Sequence, residues 1–208
     1  MSVRIARAGR AARAGRAARA AGRPQRPEKF VRFALFAESL LTGVWITVAA
    51  LPLITLLPAF AAGCAHLRRQ PAGERGGLRE FAADLRDAAR TGWRASLLWW
   101  AALALLAFDL QVARSGLLPG GRLLAAVSVL GLTALAVWGL RTAAAWRPGA
   151  DWSPTVRAAG RRSLTDPAGS LLLVGGFVAL ALTAWQVPPL AAPAFGCLAA
   201  AAVAADRR

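Results

Sequence analysis

Two carboxylates interrupt apolar sequence where charge is otherwise absent. Glu38 is the one charged residue between Phe33 and Ala65, and Asp109 closes the apolar stretch Ala95–Phe108. A charged group at the centre of a hydrocarbon-crossing helix costs about 2.5–3.5 kcal/mol on insertion scales, so such groups line solute or proton pathways or pair inside a bundle. For Glu38 the structural alternative to a transport role is an ion pair with Arg32 or a polar pocket between helices. For Asp109 it is an interfacial position beside Arg114. Neither is accompanied by a second carboxylate, a nucleophile–base pair or a phosphate-binding glycine loop. The chain holds one His and no Tyr, and the "CAH" of Cys64–His66 lacks the further ligands of a zinc site. No enzymatic activity, metal or cofactor is expected.

The elements that must hold these residues follow from the distribution of charge. Of 208 residues 57% are apolar, yet the formal charge is +16. The 38 residues from Ala168 to Ala205 carry no charge, nearly twice the ~20 needed to cross a bilayer core as a helix. Leu123–Leu140 is a further apolar stretch. The fold class is therefore all-α, a polytopic helical membrane protein. Cys64 and Cys197 are too few for a disulfide framework and read as small apolar residues. "AFAAGC", ending at Cys64, imitates a lipoprotein signal. The long basic region before it and the "HLRR" after it oppose export.

Arginine counting selects the topology, because Lys and Arg concentrate in the cytoplasmic loops. A single crossing over residues 33–65 leaves 12 and 14 of the 26 Lys and Arg on the two sides. A helical hairpin there, turning at "ALPLIT", leaves only Arg114 and Arg122 outside and 24 inside. Both termini are then cytoplasmic. Pro52 cannot continue a helix and pushes Leu51 towards extended backbone. Thr55 is the expected N-cap of the next helix, with Pro58 in its first turn. The second arm, Thr55–Arg69, spans only ~22 Å at 1.5 Å per residue, so it is short or re-entrant and buried among its neighbours. A second hairpin, Ala95–Leu140, turns at "ARSGLLPGGR", and a third, Ala168–Ala205, turns at "WQVPPL". That makes three hairpins, with five full spans or six segments. Trp99, Trp100, Trp138, Trp146 and Trp185 fall near span ends or loop edges, where interfacial anchors sit, although Trp99 and Trp100 also suit internal packing.

Two cytoplasmic loops carry helical patterns. In "GLREFAADLRDAARTGW", residues 77–93, Leu78, Phe81, Leu85 and Ala88 or Ala89 form one face and charged residues the other. This is an amphipathic helix lying at the cytoplasmic surface or capping the bundle, its face packed at the interface or docking a soluble partner. In "SPTVRAAGRRSLTDP", Ser153 is the expected N-cap and Pro154 the first helical residue. Asp166 and Pro167 repeat that start signal for the next span. Arg157, Arg161 and Arg162 are candidates for anionic headgroups, at about 1 kcal/mol each.

The stretch "GVWITVAALPLITLLPAFAAGCAHLRR", followed by "REFAADLRDAARTGW", resembles the YesL-like family of bacterial integral membrane proteins. The likeness is carried by the turn of Leu51, Pro52, Thr55, Pro58 and Ala59. "LLAFDLQVA" and "TVRAAGRRSLTDPAGSLLLV" extend it over roughly residues 33–205. The Arg-rich N-terminal extension and the Ala-heavy spans are this chain's own. The resemblance implies an accessory role in carbohydrate transport and supplies no catalytic residues.

Residues 4–20, "RIARAGRAARAGRAARA", place an arginine at every third position from Arg4 to Arg19. Three residues advance about 300° on a helix, so the charges spiral round and leave no apolar face. No aromatic side chain is present to stack on bases, and nucleic acid is not an expected partner. Residues 1–29 are expected to be a disordered basic cytoplasmic tail held near anionic inner-leaflet lipid. The alternative is a mature chain that starts nearer Phe30. Residues 30–208 are expected to form one transmembrane helical domain, multi-pass in the bacterial plasma membrane. The function expected is an accessory or regulatory component of a sugar-uptake or carbohydrate-utilisation system, with sugar-transporter components as partners. The alternative is an independent small-solute transporter with Glu38 in its pathway.

Overall fold

The structure is a computed structural model that describes residues 28–69, 77–115 and 120–206. Residues 1–27 of the expected basic tail lie outside the described residues. Among the described residues there are seven α-helices and no strand: α1 (Glu28–Ala49), α2 (Leu56–Arg69), α3 (Leu78–Arg114), α4 (Gly121–Ala145), α5 (Trp152–Thr165), α6 (Pro167–Gln186) and α7 (Pro188–Asp206). From Phe36 onward the described residues form one compact unit.

Four helices, α3, α4, α6 and α7, are long and apolar enough to cross a membrane. Among the described residues Phe36–Ala49 is a shorter apolar stretch, and α2, the second arm expected to be short, has 14 residues. The outward faces are bare hydrocarbon: Leu98, Leu105, Phe108, Leu123, Leu130 and Leu171 are all exposed. An apolar surface this extensive needs lipid or protein to cover it. The chain has the build of a helical membrane protein.

The break at Pro52 is present. α1 ends at Ala49, Leu53–Thr55 forms one 3-10 turn, and α2 begins at Leu56. Thr55 does not cap α2 as expected. Its hydroxyl donates backwards to the carbonyl of Ala49, satisfying an acceptor that the end of α1 leaves open. The two arms lie side by side. A Cβ on Gly63 would meet the Ile46 side chain, and His66 reaches Trp45. On the other flank α1 crosses α7 at glycine, where a Cβ on Gly43 would lie 2.6 Å from the amide nitrogen of Gly196.

α2 is the shortest and most enclosed part of the hairpin. Every residue from Leu57 to Leu67 is buried. It runs parallel to α7: Phe60 meets Phe195 edge-to-face at 5.8 Å, and the Cys64 thiol points at the Ala199 carbonyl at 3.8 Å. At 1.5 Å per residue it spans about 21 Å, so its flanks are covered by protein along its length.

The expected surface helix 77–93 and the hairpin arm beginning at Ala95 are one continuous helix. α3 has 37 residues, about 55 Å, against a hydrocarbon core of about 30 Å. Its amphipathic first half is a base continuous with the apolar half. Phe81 and Ala88 of the expected apolar face are buried and Leu85 is half-buried, whereas Leu78 is exposed. Phe81 packs against Trp45 with ring centroids 5.6 Å apart.

α5 begins at Trp152 with Asp151 in the N-cap position, two residues before the expected Ser153. Proline at position 154 therefore falls within the first turn, where its missing N–H still has no intrahelical acceptor. α6 starts as expected: the Asp166 side chain accepts from the Gly169 amide at 2.9 Å and Pro167 opens the helix. α6 and α7 are separated at Val187 by the paired prolines.

Candidate functional site: an ionic end and a tryptophan-walled cleft

Glu38 finds its partner on the other arm of the first hairpin. Its Oε1 lies 3.5 Å from Nε2 of His66, which is fully buried, while 40% of the Glu38 side chain is exposed. Trp45 packs edge-on against the imidazole with ring centroids 5.2 Å apart. The side chain of Arg32, the partner expected from sequence, lies outside the described residues. Asp109 is half-buried, and no ion pair reaches it among the described residues. His66 lies one helical turn from Arg69, whose partner Asp84 is 25 residues before Asp109 on α3, a rise of about 37 Å. Glu38 and Asp109 do not form one site. Among the described residues no three His, Cys, Asp or Glu side chains gather as metal ligands would.

Most ion pairs gather at one end of the bundle. Arg68, in the last turn of α2, donates to the carbonyls of Ala144 and Trp146 at the C-terminus of α4, where a cation meets open acceptors and the negative end of the helix dipole. It also lies 3.8 Å from Asp206, which pairs with Arg162. Arg69 forks onto Asp84 at 2.7 and 2.8 Å. The Gly149 amide donates to Asp87 at 2.8 Å. The C-terminal ends of α2, α4 and α7 are thereby tied to α5 and to the base of α3. At the start of that base the Gly77 amide donates to the Glu80 carboxylate, which holds that carboxyl below its usual range.

Arg141, a loop charge by sequence position, forms a second cluster. It lies in the last turns of α4 with 6% of its side chain exposed. Its Nη2 donates to the Asp166 carboxylate and backbone carbonyl, both at 3.0 Å, and to the Ser170 hydroxyl at 3.2 Å. Asp166 thus caps α6 and neutralises α4 at once. Of the three headgroup candidates, Arg162 is engaged by Asp206, and Arg157 and Arg161 are exposed. Arg157 returns one hydrogen bond to the Ser153 carbonyl at 3.3 Å.

Beside the ionic end, α3, α4 and α5 enclose a cleft of about 990 Å³. Its walls are Trp99, Trp138 and Trp152. Each indole N–H is committed to protein: Trp99 to the Leu135 carbonyl at 3.1 Å, Trp138 to the Val156 carbonyl at 2.9 Å, and Trp152 to the Thr91 hydroxyl at 3.1 Å. Trp99 is seated over Gly139, where a Cβ would come within 2.7 Å of its Nε1. These rings frame a cavity and are not simple lipid anchors. Trp100 donates to the Leu53 carbonyl of the 3-10 turn at 2.8 Å. Trp146 is fully buried and stacks on Trp152, whereas Trp185 is 86% exposed.

The cleft changes character along its length. Along α3 the lining passes from Thr91 and Arg94 to Leu98 and Ala102, and α5, whose first residue bonds to Thr91, adds Asp151 and Arg157. From Thr91 to Ala102 the rise is about 16 Å. Arg94 and Arg157 have no carboxylate partner among the described residues, and Arg94 leans on the face of Trp93 at 5.3 Å.

Comparison with protein-family models, with curated proteins and with solved structures finds no match to the chain.

Proposed function

We propose that the chain is a multi-pass protein of the bacterial plasma membrane, with its ionic end and both termini in the cytoplasm. In this reading it is a non-enzymatic accessory or regulatory component of a sugar-uptake or carbohydrate-utilisation system. The placement is supported by the gathering of Arg68, Arg69, Arg141 and Arg162 with their partners at one end of the bundle, while Arg114 and Arg122 flank the opposite turn. Arginine is held on the cytoplasmic side of short loops. The role in sugar uptake is drawn from the likeness to the YesL-like family, and sugar-transporter components are the proposed partners. Reporter fusions at Gly120 and Arg208 test the placement, the expected result being opposite sides with Arg208 inside. Deleting the gene tests the role: uptake of at least one labelled sugar should fall while its transporter remains in the membrane. Unchanged uptake across a panel of sugars would end the accessory reading.

The pairing of Glu38 with the buried His66 favours a second reading, an independent small-solute transporter. The purified chain alone in proteoliposomes should then move solute, and Glu38→Gln should abolish that flux.

A further inference from the structure

The geometry points to the cleft between α3, α4 and α5 as a binding site for one anionic membrane phospholipid. Because its three indole N–H groups are already bonded to protein, the tryptophans offer ring surface and no donors. Polar recognition falls to Arg94 and Arg157, which both line the cleft without carboxylate partners among the described residues. A guanidinium stacked on an indole face, as Arg94 is on Trp93, keeps its in-plane N–H groups directed outward, and these match phosphate oxygens. Asp151 also lines the cleft, so the three side chains sum to a single positive charge. One phosphodiester neutralises it, and the carboxylate remains to accept from headgroup hydroxyls.

The apolar end suits an acyl chain. Leu98, Ala102 and Leu135 continue the cleft along α3 and α4, and Leu98 is 72% exposed, so the cavity opens onto the apolar flank of the bundle. A rise of about 16 Å separates the polar and apolar ends, enough for a glycerol backbone and the first part of a chain. A free anion would satisfy the arginines and leave the apolar end empty, whereas a neutral amphiphile would leave the net positive charge of the polar end uncompensated. A monoanionic phospholipid satisfies both ends.

The site rests on the reading of the chain as membrane-embedded, and the test separates the two. The full chain is purified in detergent and titrated with phosphatidylglycerol, phosphatidylethanolamine or phosphatidylcholine of the same acyl chains, with bound lipid counted by native mass spectrometry. One phosphatidylglycerol should bind, and the double variant Arg94→Gln/Arg157→Gln should weaken it roughly ten- to thirtyfold, as two headgroup-facing arginines imply. Ala102→Trp, which alters no charge, should weaken it by filling the apolar end. This variant keeps the idea testable if the double variant fails to fold. Arg147→Gln removes an exposed charge outside the cleft and should change nothing. Equal binding of the three lipids, or an equal loss in Arg147→Gln, would overturn the site in favour of diffuse surface charge. Each variant is also washed with alkaline carbonate before extraction: a chain released by that wash fails the membrane reading itself, whatever the lipid titration shows.

Discussion

Trp152 sits on Gly92. A Cβ at position 92 would lie 2.7 Å from the indole Nε1, and that nitrogen donates instead to the hydroxyl of the adjacent Thr91 at 3.1 Å. The first residue of α5 is thereby locked onto the middle of α3, at the point where the polar base of that helix passes into its apolar half. One glycine, by leaving room for an indole, docks the helix that closes the cleft.

Gly92→Leu should therefore destabilise the detergent-solubilised protein by about 1–3 kcal/mol, the usual range for overpacking. Gly175→Ala is the contrasting case. Nothing lies within 4 Å of a Cβ there, and an alanine in a helix interior should leave the melting temperature equal or higher. Equal losses in the two variants would mean that the Trp152 contact is not what position 92 is for.

Thr55→Val keeps the shape of the side chain and removes its hydrogen bond to the Ala49 carbonyl. A loss of about 0.5–1.5 kcal/mol is expected, with Thr55→Ser recovering most of it. Thermal melts of the three proteins check this.

Removing one partner of the Arg141–Asp166 pair strands the other. Asp166→Ala should cost about 3 kcal/mol, because it leaves a guanidinium with 6% of its side chain exposed and removes the cap of α6. Adding Arg141→Met to that variant should restore part of the loss. A double variant that melts below Asp166→Ala would show that the arginine is held by its other two acceptors.

Glu38→Gln should insert normally, since an uncharged amide is cheaper to bury than a carboxylate. Combined with His66→Gln it should give a coupling energy of about 0.5–3 kcal/mol, as contacting residues do. Strict additivity of the two melts would show that the 3.5 Å approach carries no energy.

What was legible in the sequence was punctuation. Pro52 marked the end of one arm, Asp166–Pro167 the start of α6, and the paired prolines after Val187 the start of α7. Each acts through the backbone, and a backbone constraint is local. The burial of α2 is also legible, because the stretch Thr55–Arg69 is short for a hydrocarbon core of about 30 Å. Pairings across the fold were not. The sequence offers Glu38 either Arg32 or a polar pocket between helices, and only the hairpin shows that His66 stands beside it. Arg141 was read as a loop charge because the acid that makes its burial affordable stands 25 residues later. The division of α3 into two helices followed a change of polarity at Trp93–Ala95. Polarity decides what covers a helix; hydrogen bonding decides whether it continues, and no proline interrupts it there. The roles of the tryptophans were hidden for a related reason. A ring at a span end becomes a cleft wall only when a glycine on another helix, such as Gly139 beneath Trp99, leaves it room.

The enclosure of α2 also sets the order in which the protein can be made. Its Cys64 thiol meets a carbonyl 135 residues further on, in the last helix. At a synthesis rate of 5–20 residues per second that interval is roughly 7–27 s. Throughout it the emerging segment is too short to span and lacks the helix that later lies along it. It must be sheltered by α1, by the insertion machinery or by the headgroup layer until α7 arrives. The centre of the molecule is thus the last part to close, and a chain released before Phe195 would leave that centre open on one side.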